Sequence, residues 1–244
     1  MSMEPIVIHY RFECEGDNPT DLSFELCLDP ETLERIRPES YTPPEWARLD
    51  NGACATCPLD TSKYDYCPAA AVLAELGDIF GDLISYTTAT VTATSEDRTV
   101  SMTTTVQRAL RSLMGLYMAA SGCPVLGKFK PMARFHLPFS TTSETLFRSA
   151  GSYLLAQHFL RQRGEPFEFD LKGLSALYEQ VHVINAGLAR RFRHNTKGDA
   201  NINALALLDL YAHALPNAIK DNLAEFDPLF DGYVETGRIA EKTP

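Results

Sequence analysis

The sequence predicts an α+β fold: an N-terminal antiparallel sheet with a covering helix, followed by a C-terminal helical domain. Three observations carry this reading. Four strand-like segments fall in the first half as two hairpins, a segment of helical period lies between them, and from Thr104 onward helix capping signals replace two-residue alternation.

The first hairpin joins IVIHYRFEC, Ile6 to Cys14, to LSFELCLD, Leu22 to Asp29, through a turn containing Gly16, Asp17, Asn18 and Pro19. ISYTTATVTATS and TVSMTTT, rich in threonine and valine and meeting around Ser95 to Arg98, form the second. Both hairpins fit one sheet. Between them Val72, Leu73, Leu76, Ile79, Phe80 and Leu83 recur at helical spacing, which predicts a helix covering one face of that sheet. Pro68 suits the first helical position and puts Cys67 at the N-cap.

In the second half, Thr104 with Gln107 and Thr141 with Glu144 have capping-box spacing. The first helix is expected to stop at Gly122 and the second at Gly164, with Pro166 just beyond. A third, capped by Asp170, aligns Leu174, Leu177, Tyr178, Val181, Ile184, Leu188 and Phe192 on one face. Two shorter helices are expected over 200–214 and 216–226. The resulting division is an α+β region with a cysteine-rich loop over 1–104, a helical domain over 105–228 and a flexible tail over 229–244.

A chain of 244 residues that is 45% hydrophobic buries a core without covalent staples. Its formal charge of −10 repels nucleic acid and anionic lipid, so neither is expected as a partner. The basic run Arg190, Arg191, Arg193 and His194 lies where a long helix ends, and complements the helix dipole there. The N-terminal MSMEPIVIHY lacks a basic segment followed by an apolar run, and no stretch approaches a membrane span. A cytoplasmic protein is expected, and in that reducing setting clustered cysteines are metal ligands or redox groups before they are disulfides.

The cysteines divide into two kinds. Cys54 and Cys57 form C-x2-C, a loop that presents two thiolates to one ion, and Cys67 lies at a helix N-terminus where free amides favour a thiolate. Cys123, in the turn SGCP, is the candidate fourth ligand. Cys14 and Cys27 lie inside strands and read as small core hydrophobes. Cys54, Cys57, Cys67 and Cys123 are therefore the candidate metal set. Structural zinc leads, an iron–sulfur cluster is the alternative, and metal-free thiols or a redox pair stay open.

CATCPL, YCPAA, SGCP, PMARFHLPF and YLLAQHF, in this order, resemble a family of uncharacterised bacterial proteins that share these blocks, over roughly 54–159. The resemblance implies a bacterial cytosolic protein. It implies no mechanism, because no activity is assigned to the family.

A second block, Gly127 to Ser140, is stiffened by Pro131 and Pro138. If 133–137 is extended, Arg134 and His136 share one side while Ala133, Phe135 and Leu137 share the other. With Glu144 and Arg148 one turn apart on the next helix, these residues form a candidate site for a small anion or for acid–base chemistry. The competing reading pairs Arg134 with Glu144 inside a connecting loop where His136 bonds a carbonyl. His136 is also a substitute fourth metal ligand.

His158, His182 and His213 fall on separate helices with no spacing that joins two on one ion, and Asn185 and Asp209 read as local polar contacts. No Walker loop, Rossmann glycine pattern or nucleophile elbow occurs. Two classes follow. One is a metal-clipped binding or regulatory protein whose ligand is a small anion or a protein partner; the other is an enzyme using the metal centre or the Arg134 and His136 loop.

Overall fold

In the structure, a computed structural model, residues 4–16, 19–38, 40–96, 98–193, 195, 199–221 and 223–233 are described. Asp17 and Asn18 of the first turn, His194 of the basic run and the tail from 234 onward lie outside them.

Strands β1 (Ile6–Cys14), β2 (Thr20–Leu28), β3 (Thr88–Ser95) and β4 (Arg98–Thr105) form one antiparallel sheet in the order β2-β1-β3-β4. Both hairpins thus share a sheet, as their sequences predict. Alternation puts Ile8, Tyr10, Phe12 and Cys14 of β1 on the buried face, opposite Leu26, Phe24, Val91, Ala93 and Ala89 of the neighbouring strands. The other face carries side-chain hydrogen bonds across β3 and β4 from Thr90 to Thr103, Thr92 to Ser101 and Thr94 to Thr99. Cys14 is in the core, but Cys27 is only half-buried, because its neighbours Leu26 and Leu28 take the core positions of β2.

Helix α1 (Pro68–Phe80) starts as expected, with Cys67 extended at the N-cap and Pro68 following it. Its Phe80 ring meets Phe12 and Phe24 edge-on at 4.9 and 5.5 Å, which seats the helix on the sheet.

Helix α2 (Val106–Ala119) follows β4 without a loop, so the Thr104 capping box does not form. Thr104 is spent in the strand opposite Ala89, and the helix's first amides, of Val106 and Gln107, donate instead to the carbonyls of Thr87 and Ser85 at 2.9 and 3.1 Å. Backbone carbonyls of the turn before β3 have replaced the side-chain cap. At the other end the chain turns at Gly122, whose φ of +91° places it in the left-handed region.

Residues 130–134 are helical, not extended: Lys130–Arg134 forms the short α3 after a 3-10 turn at Leu126–Phe129. Helix α4 (Thr142–Gln162) carries the complete capping box predicted at Thr141 and Glu144. Helix α5 (Lys172–Arg193) buries the whole expected stripe from Leu174 to Phe192, and Asp170 accepts from the Lys172 amide at 3.1 Å. The two short helices expected near the end are one, α6 (Ala200–Lys220), with Pro216 inside it. Ala212, Leu215, Pro216 and Ile219 are all buried, and packing on both sides of the proline carries the helix through its missing donor.

Helix α2 packs on α6 and α1, and α6 packs on α5. A single hydrophobic cluster runs from the sheet residues through α1 and α2 into α5 and α6. Among the described residues no helix is long and apolar enough to cross a membrane.

Candidate functional site

Two regions hold the residues singled out by the sequence. The first is where the ends of α1 and α2 meet. Arg37 reaches the carbonyls of Pro68 and Ser121 through one nitrogen at 3.3 and 3.4 Å, drawing together the residues that flank Cys67 and Cys123. Gly122 lies beside Pro68, where an added Cβ would make an ordinary contact with the proline ring at 3.9 Å. The Cys67 amide is fixed to the Ala47 carbonyl at 2.8 Å, and the C-x2-C turn closes with a 2.9 Å bond from the Cys57 amide to the Cys54 carbonyl.

Helix α5 approaches that turn closely: a Cβ at Gly187 would sit 3.6 Å from Cys54 Sγ. Arg191 of the same helix donates to the carbonyls of Gly52 and Arg48 at 3.0 and 3.3 Å and leaves Nη2 buried without a partner.

The four predicted cysteines thus share one neighbourhood, with Cys54 under the electrostatic influence of Cys67, Cys57 and Cys123. Burial, reinforced by Cys67 and Cys57, pushes the Cys54 thiol up to about 11, while Arg191 acts in the opposite direction. Burial also raises Cys123, opposed by the Leu126 and Val125 amides that point at its sulfur. All six cysteines are free thiols. The sulfurs are not drawn into one coordination sphere: among the described residues, no group of three or more His, Cys, Asp or Glu side chains is arranged to hold a metal ion.

The second region is the loop around α3. It separates the four residues proposed for an anion site. Arg134 turns away to Glu96 at 3.4 Å and lies over the Phe135 ring, because the helical backbone at 130–134 removes the alternation that would have put it beside His136. Glu144 is not its partner; the carboxylate is held by the Thr141 amide and hydroxyl at 2.8 and 2.9 Å, which keep it below the usual carboxylate range. His136 and Arg148 do come together. Burial, with Arg148 adding to it, drives His136 down to about 3, so the ring is neutral, and its Nε2 and the Tyr10 hydroxyl form a hydrogen bond at 2.5 Å.

His136 and Arg148 line a partly open cavity of about 150 Å³ between α2, α3, α4, α5 and α6. Its wall is largely apolar, with Leu116, Phe129, Val181, Leu208 and Leu215 among the lining residues. Arg111 of α2 also lines it, 7% exposed, and the sequence reading did not single it out. The available signal was an arginine on the apolar stripe of α2, three and seven residues before the buried Met114 and Met118.

Two further placements differ from expectation. His182 and His213, read as unrelated, bring their rings to 5.1 Å, and His182 Nδ1 contacts both Asp209 oxygens at 3.0 Å. The antiparallel packing of α5 on α6 joins them. Arg191 braces the cysteine loop in addition to ending a helix.

No curated protein and no solved structure matches the chain. Residues 8–231, by contrast, match the family described as Domain of unknown function (DUF6901), and the chain belongs to that family.

Proposed function

We propose that this is a binding protein of a reducing, cytoplasmic compartment, in which a zinc ion held by Cys54, Cys57, Cys67 and Cys123 clips the sheet region to the helices that line the cavity. The observation that carries the reading is that Cys57, Cys67 and Cys123, from three separate segments, all lie within electrostatic reach of Cys54, which α5 approaches at Gly187. Thiol chemistry fits the ion. Zinc takes four thiolates in closed structural sites, and holding it here requires the four side chains to move from their metal-free positions. A tetrathiolate centre is anionic, and Arg191, with a buried unpartnered nitrogen next to Cys54, supplies counter-charge. The Val125 and Leu126 amides aimed at Cys123 stabilise a thiolate in the same way. Raised thiols in the metal-free protein mean that binding must release protons, so metal affinity rises with pH.

Elemental analysis with an absorption spectrum of freshly purified protein tests the reading. About one equivalent of zinc, a colourless solution and a chelator-induced drop in melting temperature are expected. Brown protein with iron and sulfide would replace zinc by a cluster, and metal-free protein indifferent to added zinc would overturn the clip.

A further inference from the structure

We propose that the cavity binds a small organic carboxylate, its apolar body against the hydrophobic wall and its carboxylate at Arg111 and Arg148. This deepens the binding reading above and rests on it, but not on the metal.

The argument starts from charge. Arg111 is buried on α2, donates to the Ser140 carbonyl at 3.0 Å and stacks on the Tyr211 ring at 4.1 Å. Arg148 donates to the carbonyls of Met132 and Phe135 at 3.0 and 2.6 Å. These contacts satisfy donors without supplying negative charge. Among the described residues neither guanidinium is in contact with a carboxylate; Glu144 acts on Arg148 only through space, its oxygen being held by the Thr141 amide and hydroxyl in the cap of α4. A buried Arg111 and a half-buried Arg148 line one apolar cavity with no carboxylate in contact with either guanidinium, and an anionic ligand there would supply that contact.

Size and lining define the rest of the ligand. An apolar cavity of about this volume holds one benzene-sized group. Ser112, Tyr178 and the neutral His136 add only uncharged polar atoms to the lining. The largely apolar wall offers nothing to replace the hydration of a free phosphate dianion beyond the two guanidiniums, whereas it suits the apolar body of a monoanion. A monocarboxylate on an aryl or short alkyl body matches both the charge and the wall.

The test uses the full chain and three probes: phenylacetate, its neutral isostere phenylacetamide, and inorganic phosphate. Calorimetric titration is expected to give phenylacetate a Kd below about 1 mM, with the amide at least about tenfold weaker and phosphate not binding. Arg111→Met and Arg148→Met are each expected to weaken phenylacetate about tenfold or more while circular dichroism stays that of the parent. Equal affinity for acid and amide, tight binding of phosphate, or no phenylacetate binding at about 10 mM would each overturn the proposal. If the variants fail to fold, the acid and amide pair on the parent protein decides. Metal content measured on the same samples keeps the two readings apart, since a metal-loaded protein that ignores phenylacetate sinks this inference alone.

Discussion

The Tyr10 hydroxyl and His136 Nε2, 126 residues apart, lie 2.5 Å from each other and join the central strand β1 to the segment after α3. Burial raises the Tyr10 phenol and lowers the His136 imidazole, so both are neutral at pH 7 and the contact is a hydrogen bond between uncharged groups. Ser112 extends the contact: it hydrogen-bonds Tyr10 and accepts from the Phe139 amide at 3.0 Å. The sheet therefore supports one wall of the cavity through this chain of contacts.

That neutral histidine predicts a pH dependence. His136 falls from its ordinary value to about 3 on folding, so between about pH 6.5 and pH 3 the unfolded chain binds the extra proton. Its stabilising contribution is complete above the unfolded value and is lost as pH falls through that window, at no more than about 1.4 kcal/mol per unit. Urea midpoints at pH 7 and pH 5 are expected to differ less in His136→Gln than in the parent. The comparison avoids the lower range where Asp21, Asp29 and Asp60, all held below the usual carboxylate values, also protonate.

Arg35 and Glu75 form an ion pair between the segment after β2 and α1, with side chains only 5% and 14% exposed, and Arg35 also lies over the Tyr117 ring at 5.0 Å. Burial pushes the Glu75 carboxyl up in spite of Arg35. Breaking such a pair strands a buried charge. Glu75→Ala is expected to cost about 3–5 kcal/mol by chemical denaturation, and Arg35→Met with Glu75→Leu to recover most of it. A loss in the double variant as large as in the single one would show that the pair has no adequate apolar replacement.

Asp199 stands at the N-terminus of α6 but does not cap it. Its two oxygens take the Ser85 amide at 2.8 Å and the Ser85 hydroxyl at 2.9 Å, fastening the turn before β3 to the helix. Because Ser85 is buried, Asp199→Ala leaves both donors without their partner and is expected to cost about 1–3 kcal/mol. Amide hydrogen exchange at Ser85 should speed up with it; unchanged exchange would mean that water takes over.

Gly122 turns the chain between α2 and Cys123 at φ +91°, with Glu34 and Pro68 close by. Gly122→Ala is expected to lower stability by about 1 kcal/mol or more and to reduce zinc retention, since it shifts the neighbouring thiol. A stable variant with full metal content would separate this turn from the proposed clip.

Cys123→Ser and Cys14→Ser form the discriminating pair for the metal. The first is expected to lose zinc and melt at the chelated protein's temperature; the second should keep its metal and pay only for a hydroxyl in the core. Equal metal in both would mean that Cys123 is not the fourth ligand.

Local signals were enough for the two hairpins, for Cys67 and Pro68 opening α1, for the Thr141 and Glu144 box and for the stops at Gly122 and Gly164, because each depends on residues within one turn or on strict two-residue alternation. They failed where a distant group took over a local role. The carbonyls of Thr87 and Ser85 displaced the expected cap of α2, and buried packing carried α6 through Pro216. Spacing singled out Cys54, Cys57, Cys67 and Cys123, and the fold sets the last three and Arg191 within electrostatic reach of Cys54 without arranging them as a coordination sphere; no spacing rule connects Arg191 to them. Only tertiary structure decided that Arg134 and Glu144 face other partners while Arg111 joins His136 and Arg148 at a cavity. A cavity is the space left between α2, α3, α4, α5 and α6, and which charges line it depends on the packing angles of those helices, a property that no single segment encodes.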